Sequence, residues 1–151
     1  MRVVSKPIRK IDGEAIVRGA PHYTMDMVPP DALYAKILRS PHAHARIKHI
    51  DKSEALKVPG VYLVLTHEDV PRVPFTTAGQ NFPEPSPYDT FMLDSKVRFV
   101  GDRVAVVVAK DEVTASRACD LIRVEYEILP AVFDAREALK PGSPIIHDEP
   151  D

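Results

Sequence analysis

The sequence predicts an α+β fold, a small mixed sheet with one main helix and short flanking helices. Three observations carry this. Stretches of period-two alternation recur along the chain, one segment alone has sustained helical spacing, and the order lacks regular strand–helix alternation. Proline adds to them: 15 residues among 151, about twice average usage, keep elements short and connections long.

The elements follow in order. "ALYAKILRS" sets Leu33, Ala35 and Ile37 against Tyr34, Lys36 and Arg39, a half-buried strand with Leu38 interrupting its polar face. Ser40-Pro41 bends the chain, because proline lacks an amide donor and pushes the preceding residue toward extended backbone. "HAHARIK" then reads as a strand, with Ala43, Ala45 and Ile47 on one face and His42, His44, Arg46 and Lys48 on the other. Asp51 and Glu54 have capping-box spacing for a short helix that Pro59-Gly60 stops. "GVYLVLT" is a strand, and Thr66 to Asp69 suits a single turn.

Residues 71–95 hold five prolines, no period of either kind, and Phe75, Phe82, Tyr88, Phe91 and Met92. Loops of this length tend to be functional. The aromatics either dock onto a partner or fold back on the domain's own core.

"KVRFVGDRVAVVVAK" places two apolar runs around Gly101-Asp102, as in a tight hairpin or bulge, with Val104, Val106, Val107 and Val108 in the core. Behind Asp111 as N-cap, Ala115, Ala118, Cys119 and Ile122 recur at helical spacing and define the main helix. "IRVEYEILP" returns to period two, with Ile122, Val124, Tyr126 and Ile128 inward and Glu125 and Glu127 on a solvated face. Asp134 caps a short last helix that ends at Pro141-Gly142, and "SPIIHDEPD" reads as a linker.

Several classes of function find no support. Net charge is −2 with both signs scattered, so there is no footprint for nucleic acid. The longest apolar run, Val104 to Ala109, is far short of a membrane span, and a cytoplasmic protein is the expectation. The lone Cys119 cannot form an internal disulfide, a four-cysteine zinc site or a cluster site. Glycine-rich nucleotide loops, GxSxG and HExxH are all absent, and no residue is assigned a catalytic, cofactor-binding or metal role. His42 and His44, two apart on a strand, could offer two nitrogens to zinc or copper. A third ligand is not placed, and His49 falls on the opposite parity unless a bulge intervenes.

Five stretches in order carry a resemblance: "KIDGEAIVRGAPHYTMDM" with Gly19, Tyr23 and Asp26, then "LRSPHAHARIKHID", "PGVYLVLTHEDVP", "VRFVGDRVAVVVA" and "VEYEILPAVFDAREAL". Together they resemble the α/β-hammerhead domain that opens the large subunit of molybdenum hydroxylases of the xanthine dehydrogenase and aldehyde oxidase type. The resemblance implies a domain over residues 3–145, with 146–151 beginning a linker to molybdopterin-binding domains. It implies a part of an oxidoreductase that hydroxylates N-heterocycles or aldehydes, this chain alone being inactive and binding no cofactor. Molybdopterin-molybdenum, iron-sulfur clusters and often FAD would belong to other domains or subunits, which become the expected partners beside a small-molecule substrate. It also implies that the 71–95 loop lies toward the substrate entrance, making Phe82, Tyr88, Phe91 and Met92 candidates there, with His42 and His44 candidates for a domain interface. The reading from another class is a freestanding module that holds a small ligand or metal with His42, His44 and the aromatic loop.

Overall fold

A computed structural model describes residues 4–21, 23–77 and 87–148, which divide into two units, Met1–Ala32 and Leu33–Asp151. In the first, α1 (Gly13–Val17) ends at Gly19, whose φ of 65° is open to glycine. Ala20 N donates to Ala15 O (2.9 Å) and Gly19 N to Ile16 O (3.1 Å), closing the helix by a left-handed cap. Asp26 then accepts from Tyr23 N (2.9 Å) at a 3-10 turn, Thr24–Met27. Gly19, Tyr23 and Asp26 are thus tied to local turns.

The second unit contains β1 (Tyr34–Arg39), β2 (Ala45–Asp51), α2 (Ser53–Leu56), β3 (Val61–Leu65), β4 (Lys96–Val97), β5 (Arg103–Ala109), α3 (Glu112–Leu121), β6 (Arg123–Ile128) and α4 (Ala135–Ala138). Two three-stranded sheets replace the single mixed sheet expected, ordered β1-β5-β3 and β4-β2-β6, with every pair antiparallel. The class and the element order are those the sequence predicts. Gly101-Asp102, with Gly101 at φ 93°, closes no hairpin. It is the point where the chain leaves one sheet at β4 and enters the other at β5.

Helix α3 covers one face of the first sheet. Ala105, Val107 and Ala109 of β5 meet Ala115, Ala118 and Cys119 of α3, with Val64 and Ala55 beside them. Alanines on both surfaces let backbone approach backbone, and each fully buried valine contributes about 1.5–3 kcal/mol. The second sheet closes over Ala45, Ile47, Val97 and Val104, while Leu38, Ile50 and Val124 touch both clusters. Val106 and Val108 are only half-buried, because they point away from α3.

Three parity expectations change. In β1 the covered side carries Leu38, whereas Leu33 and Ala35 are exposed. The reason lies across the ladder: Leu38 pairs with Ala105 and Lys36 with Val107, residues that face α3. Lys36 keeps its charge in water by reaching Glu112 at the start of α3 (3.2 Å), and its carbonyl accepts the Cys119 thiol. In β6, Ile128 is exposed at the end of an edge strand. In the segment before β2, His44 is buried rather than polar-faced.

Caps explain the helix starts. Asp111 accepts from Thr114 N (2.7 Å), and Asp134 from Arg136 N and Glu137 N (2.7 and 3.1 Å). Asp51 instead belongs to β2, so its carboxylate turns onto Ser53 N (2.9 Å) ahead of the N-cap Lys52, and no capping box forms. Asp111→Ala is expected to cost about 1 kcal/mol, read by urea denaturation against the wild type. A change below about 0.3 kcal/mol would show that α3 is held by packing alone.

Candidate functional site

The Ser40–His44 segment is a turn, and β2 begins only at Ala45. Pro41 cannot join a ladder, so Ser40 closes the turn itself: its Oγ accepts from His42 N and donates to His42 O, both at 3.0 Å. His42 is half-buried, its ring 4.8 Å from that of Tyr126 in an edge contact. Burial pushes the Tyr126 phenol up, partly offset by a hydrogen bond with Ser40.

His44 is 5% exposed, and its Nδ1 lies 2.6 Å from Pro130 O. A carbonyl only accepts, so Nδ1 carries the proton. Nε2 is buried without a hydrogen-bond partner. His49 stands across from Glu125 after a bulge between Ile47 and His49, exposed to solvent. The turn therefore separates the imidazoles: one edge-on to Tyr126, one bound to Pro130, one outside. Among the described residues no three His, Cys, Asp or Glu side chains could hold a metal ion; His22 lies outside them.

The two limbs of the 71–95 loop are joined by a bridge between Phe75 and Thr90, with hydrogen bonds of 2.8 and 3.1 Å. Its aromatics divide. Phe91 is buried at 7% exposure, with the Arg72 guanidinium 3.9 Å from its ring centre. Tyr88 and Met92 are exposed, and Phe82 lies outside the described residues. Phe91 is thus part of the loop's own packing.

Beside Phe91 sits a charged cluster that residue patterns did not reveal. Asp94 accepts from Arg72 Nε and Nη2 (3.0 and 3.3 Å), from Arg98 Nη1 (2.9 Å) and from Ser95 N (2.8 Å). Burial alone would raise the Asp94 carboxyl, but the hydrogen bonds and charges of Arg72 and Arg98 outweigh it and hold it below the ordinary 3.8. Asp94, Arg98 and Phe91 line a cleft of 370 Å³ with Asp89, Arg103 and His147. The only local signal is the i,i+4 spacing of Asp94 and Arg98, and outside a helix that spacing carries no information.

Cys119 offers no reactive thiol. Burial first, then the Asp120 charge, pushes it up, against a weaker opposing pull from Lys36.

The chain is thus an α+β domain of two antiparallel sheets whose conspicuous motif is taken up by turn geometry. Residues 18–130 match the family model for the aldehyde oxidase and xanthine dehydrogenase a/b hammerhead domain, and the chain belongs to that family. It is 47% identical over 150 residues to the probable hypoxanthine oxidase XdhD of Escherichia coli O157:H7, a match covering 99% of this chain and 16% of the relative. It is 39% identical over 143 residues to the xanthine dehydrogenase molybdenum-binding subunit of the same organism, covering 92% and 19%. The aldehyde oxidoreductase of Desulfovibrio gigas aligns with a TM-score of 0.78 at 34% identity, over 91% of this chain and 16% of that one. The chain spans less than a fifth of the length of these relatives, and its kin are molybdenum oxidoreductases.

Proposed function

We propose that this chain is the packing domain of a molybdenum hydroxylase large chain, without catalytic residues of its own. In this reading the whole protein hydroxylates an N-heterocycle or aldehyde in the cytoplasm, beside iron-sulfur and flavin modules. The supporting observation is the match over residues 18–130 to a domain that forms less than a fifth of its relatives. No described helix is long and apolar enough to cross a membrane.

Molybdenum and its pterin are implied by the family, and the residues here do not fit a site for them. The single cysteine is buried with a raised thiol, and among the described residues no metal-ligating trio occurs. The domain's contribution is placement. Tyr88 and Met92, exposed on a loop pinned by Phe91, are the residues proposed to flank the substrate entrance, and His42 and His44 to support the domain interface.

The test is a chimera in which this chain replaces the matched stretch of the E. coli hypoxanthine oxidase relative. Molybdenum content and hydroxylation of hypoxanthine should persist in the chimera and vanish when the stretch is deleted. Full cofactor content and activity in the deletion would sink the proposal.

A further inference from the structure

The Ser40–His44 turn grips two separate stretches of chain. On one side Ser40 N donates to Asp102 O and Gly101 N to Ser40 O, both at 2.8 Å, fixing the bend that presents Phe99 and Val100. On the other, His44 O accepts from Leu129 N (2.9 Å) while its Nδ1–H donates to Pro130 O, fixing the chain just before Ala131–Phe133. Between them Ala43 lies at an open hollow of 270 Å³, lined also by Phe99, Val100, Val132, Phe133 and Ile146. Phe133 is 86% exposed, Val100 63% and Phe99 54%; among the described lining residues Arg98 alone is charged, and its guanidinium is bound to Asp94.

Two exposed phenylalanines around an apolar hollow have the composition of an interface centre rather than of ordinary surface. Four hydrogen bonds from one short turn hold its rims in place before any partner arrives, which lowers the ordering cost of docking.

We propose that this hollow seats an apolar segment from the remainder of the same large chain, and that the Ser40–His44 turn is its positioning element. The inference rests on the packing-domain reading above. The occupant follows from chain length: the shared stretch is 16–19% of the relatives, so a cis neighbour is present at high effective concentration. Phe133 supplies the projecting anchor, and His44 acts through Pro130 without touching the partner.

Hydrogen exchange on the 151-residue chain alone and within the chimera tests it. Amides of residues 99–100 and 131–133 should exchange at least about tenfold more slowly in the chimera. Phe133→Glu should return them to fast exchange there, and leave the melting temperature of the 151-residue chain unchanged, since the side chain is exposed. Protection elsewhere on the domain but not here overturns the choice of face and leaves the packing-domain reading standing. No protection anywhere overturns both. Protection that grows with concentration in the 151-residue chain alone assigns the hollow to a second copy and overturns the cis occupant.

Discussion

Asp94→Ala should lower the stability of the domain by about 3 kcal/mol, a fall of roughly 10 °C in melting temperature. The carboxylate and the Arg98 guanidinium are each 6% exposed, so truncation removes from a buried cation the carboxylate it is bound to, where water reaches poorly. Arg72, half in solvent, adds less. Asp94→Asn should fall between the two, keeping acceptor geometry without charge. The pH dependence has a definite sign. The Asp94 carboxyl is held below its ordinary 3.8, so its stabilisation is complete above about pH 4 and is lost as pH falls through the folded value. Asp69 behaves alike: Lys52, then the Thr66 amide and hydroxyl, bring it to about 2. Urea denaturation should show the wild type losing stability between about pH 4 and 2, and Asp94→Ala losing less over that window. Equal acid sensitivity of the two proteins would remove Asp94 from the account.

Much of the fold is written locally. Asp111 three residues before Thr114, the alanine spacing of α3, and the alternation along β6 depend on neighbours in sequence, and these elements stand where the patterns place them. What a strand faces is a different kind of fact. Leu38 is packed inward because Ala105 stands across from it and α3 lies over both, a relation spanning more than 65 positions. The partition into two sheets depends on β4 pairing with β2 rather than with its neighbour β5. No period records that choice.

The histidine-rich motif shows the same limit from the side of function. As a strand, "HAHARIK" would align His42 and His44 and invite a metal. Ser40 and Pro41 make it a turn instead, and the acceptor that claims His44 belongs to Pro130, 86 positions away. The residue types were visible, and their partners were not. A turn that holds four strangers in sequence together is a reason for this pattern that needs no metal: Ser40 supplies the short side-chain bridge, Pro41 the fixed φ, Ala43 the small floor, and His44 the donor for a carbonyl that ends a strand.

The loop admits the sharpest discrimination, because its aromatics share a sequence context and differ in burial. Phe91→Ala should cost about 3 kcal/mol or more, since it empties a buried ring site and removes the surface under the Arg72 guanidinium. Tyr88→Ala and Met92→Ala, both exposed, should each cost less than about 0.5 kcal/mol. In the chimera these two should shift KM for substrate at unchanged folded yield, whereas Phe91→Ala should reduce the yield itself. Phe91 and Asp94 share Arg72 and Arg98, so the double variant should lose less than the sum of the single losses, by about 1 kcal/mol. Strict additivity would mean that the ring and the carboxylate hold the loop independently. A KM unmoved by Tyr88→Ala and Met92→Ala together would take the loop away from the substrate path and leave Phe91 with a structural role alone.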